Sequence, residues 1–555
     1  MSSPYFRLAP LVLATALTFP GWALAAPAAH AQTVPLSIAL PAQPLGSALN
    51  ELARQANLQL MVHPDLVAGK QAPAVSGSLT PRQALDRLLA GSGLVADVNG
   101  AEVVVRRPPA PAAQSSATTL GEVMVTAQAV RADGTTEDTQ SYTTQAMGTA
   151  TKLTLSPRET PQSVTVITRQ RMDDQNLGNI VDVVQATPGL YVTGDDGAGR
   201  PAIMARGYYA NVMYEGFSSE FSSYMPSSQA NTDLFDRVEV VRGATGLAQG
   251  KGNPSAAINM VHKRPTREFR GEARASLGRW DDYGAMVDLG GPVNAAGTLR
   301  VRGVASGQDT GTFRDVEHLK HGLLYGVAEA DLTPSTLLAV GAYRQTDFTN
   351  HWWYDLPMAA SGQQLDLPRS TFAGNDWEYA KNRVTTAFTT LDQKLPGDWK
   401  MRLAALHSWR SLDLLGTAMY READWGDTYY QYIWGGLTKY RNANYDLSFS
   451  GPFRAWGREH QLGVGATRQS TTQTTNNRSW NPSRITGIDI FTWDPYAVDK
   501  PIGTFTSISK SVTTQDSVYA ATHLAITDPL KLLLGARMDW YDYDNRTGSG
   551  SYSVP

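Results

Sequence analysis

From Phe269 to Tyr543 the sequence keeps a two-residue rhythm broken by reversals. In TLRVRGVASGQ, Leu299, Val301 and Ala305 fall on one face and Arg300 and Arg302 on the other. The pair SVYAATHLAITDP and KLLLGARMDWYDY repeats the pattern. Val518, Ala520, Leu524 and Ile526 share one face, as do Leu532, Leu534, Ala536, Met538 and Trp540 on the next run. A period of two is the pleat of a β-strand with unlike faces. One apolar face per strand, ending in aromatics, is the pattern of a β-wall whose outside meets lipid. A soluble sandwich shares the alternation, so the rest of the chain must separate the two.

The first 31 residues do so. Arg7 precedes an apolar run from Leu8 to Ala25, and Ala29-His30-Ala31 fits a small-x-small cleavage site. Pro10, Pro20 and Pro27 argue against a long membrane helix. No later stretch is apolar for long enough to cross a bilayer as a helix. Export then leaves the periplasm, the medium or an outer-membrane barrel. The absence of cysteine fits an oxidising compartment entered without disulfides. Net charge is −3, with no basic block, which makes nucleic acid a poor partner.

Residues 34–107 read as one small α/β unit. VPLSIAL is a strand. A helix follows Pro44, with Leu45, Ala48, Leu49, Leu52, Ala53 and Ala56 on one face. LQLMVH is a second strand. Thr80 caps a second helix that opens at Pro81 and turns Ala84, Leu85, Leu88 and Leu89 inward. LVADVN and AEVVVR form a hairpin around Asn99-Gly100. Residues 108–119, PPAPAAQSSATT, bury little. In LGEVMVTAQ, Glu122 to Thr126 alternate around Val123 and Val125. A lone β-prone pentapeptide between flexible stretches is suited to adding a strand to a partner's sheet. Residues 129–149 give it slack.

Residues 150–265 form a further unit. Ser163 to Thr168 is a strand, and Met172 to Ala186 a helix facing inward through Leu177, Ile180, Val181 and Val184. Asp195–Arg200 and Tyr208–Met225 read as candidate loops, the second crowded with aromatics beside glycine and serine. The unit closes with DRVEVVRGATGLAQGKGNPSAAINMVHKRP: strand, glycine-rich reversal, strand. Gly250-Lys251-Gly252 imitates the end of a phosphate loop. Thr245 stands where that loop needs its first glycine, and Gly252 where it needs Ser or Thr, so no nucleotide site follows.

On these runs the sequence resembles the TonB-dependent outer-membrane receptors. SPRETPQSVTVITRQRMDDQNLGNIVDVVQATPGLYV is similar to their plug opening, and the glycine-rich strand pair to its end. Residues 34–107 resemble the secretin and TonB N-terminal signalling domain. Glu122, Val123, Met124, Val125 and Thr126 resemble a TonB box. The resemblance implies a signal peptide at 1–31, a small periplasmic α/β signalling domain at 34–107 and a linker at 108–149. It further implies an α+β plug domain at 150–265 and a barrel portion at 269–555. The family's transmembrane antiparallel β-barrel has 22 strands, and about eleven can be counted between Phe269 and Tyr543. Eleven cannot close. The expectation is therefore the N-terminal half of the barrel, unable to transport anything by itself.

Three excursions carry aromatics: Asp347–Asp376, Leu412–Tyr440 and Gln473–Thr506. Aromatic walls with scattered Arg and Gln suit a large, partly anionic guest. The resemblance is to ferric siderophore receptors of the hydroxamate and pyoverdine kind. It implies capture of a whole iron–siderophore complex, without a cofactor or a protein ligand on the metal. Candidate ligand residues are Arg200, Arg206, Tyr208, Tyr209, Tyr224, Trp352, Trp353, Tyr354, Trp377, Trp425 and Tyr430. The nine histidines form no metal-binding spacing, and His351 is the one to watch. No catalytic dyad or triad is present, so an enzyme is not expected. The implied partners are the TonB energising complex through 122–126, an inner-membrane anti-sigma regulator through 34–107, and outer-membrane lipid. The alternatives are a receptor for haem or another metal–organic complex, and a transport-incompetent regulatory fragment.

Overall fold

The computed structural model describes residues 36–99, 102–106, 134–195, 201–218, 230–243, 245–250, 252–350, 356–422, 428–546 and 552–554. The chain forms two compact units, Met1–Met124 and Val125–Pro555.

In the first unit, β1 (Leu36–Leu40), α1 (Leu45–Ala56), β2 (Gln59–Val62), β3 (Val75–Leu79), α2 (Pro81–Leu88), β4 (Val95–Asn99) and β5 (Glu102–Arg106) enclose one core. β5 lies between β2 and β4, and β1 pairs with β3, a strand the sequence reading did not assign. α1 buries Leu45, Ala48, Leu49, Leu52 and Ala56, and stops where Asn57 turns left-handed at φ 52°. Thr80 and Gln83 close a capping box around the start of α2. Thr80→Ala should cost about 1 kcal/mol. Amide exchange over residues 81–85 should then quicken about five-fold, and an unchanged rate would refute the cap's role.

The second unit begins with a plug. Its main sheet holds β6 (Ser163–Thr168), β7 (Asn211–Tyr214), β8 (Phe235–Arg242) and β9 (Ala256–His262). β8 runs antiparallel between β6 and β9, while β7 lies parallel to β9. β8 is buried on both faces. Val238 and Val240 enter the main core, and Val241 packs under Met147 and Val166 on the other side. The reversal between β8 and β9 needs glycine at 250, where φ is 72° and a Cβ would collide with Gln515, Asp539 and Arg537 of the wall.

Three expectations for the plug need correction. Tyr208–Met225 is not simply a loop: Asn211–Tyr214 is β7 of the main sheet, with Val212, Met213 and Phe217 buried, and residues 219–225 lie outside the described residues. The single helix Met172–Ala186 is two helices, α3 (Arg169–Asp174) and α4 (Ile180–Gln185). Asn176 turns left-handed at φ 50°, and Asn179 with Asp182 builds a new capping box. The restart turns Val183 inward instead of Val181. Residues 134–149, read as slack by composition, pack into the plug: Thr136, Glu137 and Thr149 are all buried.

The wall follows as an antiparallel meander: β10 (Arg270–Gly278), β11 (Asp282–Pro292), β12 (Leu299–Gly311), β13 (His318–Thr333), β14 (Thr336–Thr349), β15 (Tyr379–Lys394), β16 (Lys400–Arg421), β17 (Tyr429–Ala455), β18 (Arg458–Asn481), β19 (Ile502–Ala525), β20 (Lys531–Asn545) and β21 (Tyr552–Val554). β10 and β21 do not pair, so among the described residues the sheet is open, as expected of a partial barrel. The outer face keeps the anticipated apolar series, for example Val340, Leu403, Leu447, Leu534 and Met538, all exposed. The inner face is polar: Arg302 reaches Glu137 of the plug, while Arg300 pairs with Glu329 and Asp331 of β13.

The two later excursions are largely strand. β16 has 22 residues and β17 has 27, whereas a tilted lipid crossing takes about 9–11. The hairpin climbs well past the bilayer, because its alternation continues in polar and aromatic residues after the aliphatic ones end. Connections at this end are long (350–378 and 482–501), while those at the other end are short reversals such as 456–457.

Candidate functional site

Strand register divides the high hairpin into two faces. Thr417, Met419, Tyr429, Gln431 and Ile433 continue the outer face, yet all are buried. The long loops cover them: Leu365, Phe372, Ala373, Ile488 and Ile490 pack against Met419 and Tyr429. Trp493 Nε1 donates to the Gly374 carbonyl at 2.8 Å, and Trp377 Nε1 to that of Val498 at 2.9 Å. The two loops thus form a buttress behind the hairpin.

Tyr420, Tyr430, Tyr432 and Trp434 lie on the other face, continuous with the lumen. The Tyr420 and Tyr430 rings are 5.5 Å apart, and the Arg484 guanidinium lies 3.5 Å over Tyr430. Glu422 holds Arg484 from the side at 3.1 Å. A cation fixed on an aromatic face, beside the exposed rings of Tyr420 and Tyr432, offers stacking area and positive charge together.

Within the buttress sits an acid with no cationic partner among the described residues. Glu378 is 1 % exposed and accepts from the Asn375 backbone at 2.8 Å and from Thr417 Oγ1 at 2.5 Å. Burial outweighs these hydrogen bonds and pushes its pKa up to about 7.

Below, the plug is tied to the wall by buried charge. Arg302 of β12 donates to both carboxylate oxygens of Glu137, at 2.6 and 2.8 Å, and to both of Asp288, at 2.8 and 2.7 Å. Lys263 completes the group at 2.9 Å from Asp288. Burial opposes the charge on Glu137, but Arg302 more than offsets it and holds the carboxyl below its ordinary value. Next to it, Asp236 accepts from the backbone N–H of Thr136 at 3.0 Å and of Glu137 at 2.9 Å. Burial, reinforced by Glu137, raises the Asp236 pKa. A second tie is aromatic: the His262 ring stacks on Phe388 of the wall at 4.9 Å and on Phe235 of the plug at 5.4 Å.

Of the residues singled out from the sequence, Tyr430 belongs to the aromatic face and Trp377 to the buttress. Arg206, Tyr208 and Tyr209 lie on the plug around the end of a small ribbon, where Tyr208 is exposed. No hydrogen bond, ion pair or ring contact among the described residues joins these three to Tyr430 or Trp377. Arg200, Tyr224, Trp352, Trp353, Tyr354, Trp425, His351 and the segment Glu122–Thr126 lie outside the described residues. Sequence reasoning missed Glu378, Glu422 and Arg484. The one signal for Glu378 was an acid set directly between Trp377 and Tyr379.

This architecture of small unit, plug and lipid-facing wall matches known families in the same order. Residues 58–108 match the Secretin and TonB N terminus short domain, and 156–257 the TonB-dependent Receptor Plug Domain. Residues 261–554, more than half of the chain, match the TonB dependent receptor-like β-barrel. The chain belongs to the TonB-dependent receptors. The receptor is an outer-membrane protein with a periplasmic N-terminal domain. It is 36% identical over 96% of its length to the ferripyoverdine receptor of Pseudomonas aeruginosa. It is 35% identical over 91% of its length to the ferric-pyoverdine 358 receptor of Pseudomonas putida. The chain spans 65% and 62% of these two curated relatives. Among solved structures, the receptor superposes with a TM-score of 0.70 on the P. aeruginosa ferripyoverdine receptor bound to ferripyoverdine, at 31% identity, covering 93% of this chain and 67% of that one. The alcaligin receptor FauA of Bordetella pertussis gives 0.57 at 29% identity, covering 76% and 62%.

Proposed function

We propose that the receptor captures a ferric siderophore of the pyoverdine type for TonB-dependent passage into the periplasm. The observation that carries this reading is the continuity of its similarity to ferripyoverdine receptors through small unit, plug and wall. The Arg484–Tyr430–Tyr420 stack supports it, since an anionic chelate with an aromatic chromophore fits a cation held on an aromatic face. Arg206, Tyr208 and Tyr209 are proposed to meet the guest from the plug side. Arg200, Tyr224, Trp352, Trp353, Tyr354, Trp377 and Trp425 are proposed to complete its surroundings. The guest is proposed to keep its own chelate around the iron; among the described residues no cluster of His, Asp and Glu could hold a metal ion. Glu122–Thr126 is proposed to add a strand to the TonB partner, and the small unit to report occupancy to an inner-membrane anti-sigma regulator.

Equilibrium binding of ferric pyoverdine, a ferric trihydroxamate and haem, read by tryptophan quenching, tests the reading. Ferric pyoverdine should bind most tightly. Tyr430→Ala and Arg484→Ala should each weaken it about five-fold, the size of a partly exposed cation–π contact. Preference for haem would overturn the assignment. In cells whose iron uptake depends on this receptor within a closed barrel, Val125→Pro should stop uptake while leaving binding intact.

A further inference from the structure

One stretch of the seam between plug and wall encloses free space. A cavity lies between the plug around Tyr214, Phe217, Leu234 and Phe235 and the inner face of β14 to β17. Its volume is about 570 Å3, part of it continuous with solvent, within the roughly 300–1,000 Å3 of small-molecule sites. Register fixes the wall side. Tyr343, Thr386, Ser408 and Asn442 lie side by side on the four strands, with Gln345–Val384 and Leu406–Asn444 in the inward-facing rows to either side. Asn442 follows Tyr430 by twelve positions on β17, roughly 40 Å of extended strand, so the cavity is separate from the aromatic face.

The two sides differ in kind. The plug offers rings and aliphatic carbon, with the Tyr214 and Phe235 rings 6.2 Å apart. The wall offers hydroxyls and amides. No charged residue is among the described residues that line the cavity. Most of the wall's polar groups already have partners. Thr386 Oγ1 donates to Ser408 Oγ at 3.1 Å, Asn444 Nδ2 to the Leu406 carbonyl at 3.4 Å, and Gln345 Nε2 to Asp347 at 3.0 Å. Asn442 is the exception. It is 6% exposed, its Nδ2 donates to Thr471 Oγ1 at 2.8 Å, and its Oδ1 is buried with no hydrogen-bond partner among the described residues.

That inventory narrows the occupant. An ion would lose its hydration and find no counter-charge. A sugar-like molecule would bring more hydroxyls than the lining has groups left to pair. A bare hydrocarbon would leave the Asn442 oxygen buried and unsatisfied. Each buried water needs about 2–4 polar partners, and Phe217, Leu234 and Phe235 offer none from their side chains. A neutral ring with a single donor meets both sides: its faces pack on the plug rings, and its donor is what Asn442 lacks.

We propose that this cavity binds a small neutral phenol, its ring against Phe217, Phe235 and Leu406 and its hydroxyl donated to Asn442. The occupant touches the plug and the wall strands at once. It therefore holds β7 and β8 against the wall and acts as a brake on plug movement, remote from the aromatic face that the chelate is proposed to use.

Equilibrium dialysis of the full chain in detergent micelles tests it, in sealed cells, with phenol and its isostere toluene as probes and empty micelles as the blank. Phenol should bind saturably at one site. Asn442→Leu should lower the ratio of phenol to toluene affinity about ten-fold, the effect of losing one buried hydrogen bond. Toluene should still bind that variant, which shows that it is folded. Ala230→Leu narrows the cavity and should weaken both probes. Bound phenol should slow amide exchange across residues 211–214 and 235–242 about five-fold and leave β10 and β11 unchanged. Phenol uptake that does not saturate above the blank, or an unchanged ratio in Asn442→Leu, would overturn the site. Saturable binding with exchange at the ligand-free rate would overturn the brake.

Discussion

Arg302→Leu is expected to open the plug. Among the described residues, the change leaves Glu137 buried with no cation in ion-pair contact and Asp288 with Lys263 alone. Breaking a buried pair by removing one partner costs about 3–5 kcal/mol, much of it the penalty on the stranded charge. Because Thr136 and Glu137 also clamp Asp236, the loss falls on residues 134–149 and the adjoining edge of β8. Amide exchange there should accelerate roughly a hundred- to few-thousand-fold while the wall strands stay protected. Glu137→Leu in the Arg302→Leu background should recover most of the difference, since the stranded acid is then gone. Exchange at the wild-type rate in Arg302→Leu would show that the cluster does not hold the plug. The sign with pH follows from Glu137. Its folded pKa is depressed, so its contribution is complete above the ordinary carboxylate range and is lost as pH falls through the lower folded value.

Glu378 is expected to make the loop buttress weaken as pH rises, the opposite direction. In the unfolded chain this carboxyl loses its proton around its ordinary value of 4.5, and in the folded loops around 7. Between those values the folded state holds more protons than the unfolded one, so stability falls with rising pH and the full loss is reached above about 7. A displacement of that size corresponds to on the order of 3 kcal/mol. Protease nicking of residues 356–378 should therefore be slow at pH 5 and much faster at pH 8. Glu378→Gln keeps one acceptor, for the Asn375 N–H and Thr417 Oγ1, loses the one that Oε2 offers the Thr417 N–H, and has no charge to bury, so it should flatten the profile. A wild-type profile as flat as that of the variant would sink the argument.

The two predictions concern residues that the sequence exposes unequally. Lipid-facing alternation is a property of neighbours in the chain, and the apolar series through Val340, Leu403 and Leu534 was legible from it. The strand–glycine–strand closure of the plug was legible too, because reversal chemistry is local. The break at Asn176–Asn179 was hidden. Both halves of that segment have helical periodicity, and only the left-handed Asn176 separates them. The high hairpin was misread as loops because tyrosine, glycine and threonine at 416–438 look the same in an irregular excursion and in a solvated strand. For the candidate site, aromatic content was visible but its division into faces was not. Tyr429 and Tyr430 are adjacent in sequence, yet one is sealed under the loops and the other points to the lumen. Arg302–Glu137 and Arg484–Tyr430 join residues 165 and 54 positions apart, separations over which no pattern in a single chain points to a partner.

That division of the hairpin has an evolutionary consequence. Scaffold and recognition surface are written on alternate letters of the same two strands. Odd-numbered positions such as 417, 419, 429, 431 and 433 are bound by the packing of two loops, and a change there would be purged for misfolding. The even-numbered positions 420, 430 and 432 carry no such burden. Mutation can retune the guest one ring at a time there without touching what keeps the strands upright. A library randomised only at those even positions is the natural starting point for redirecting the receptor to a new chelate.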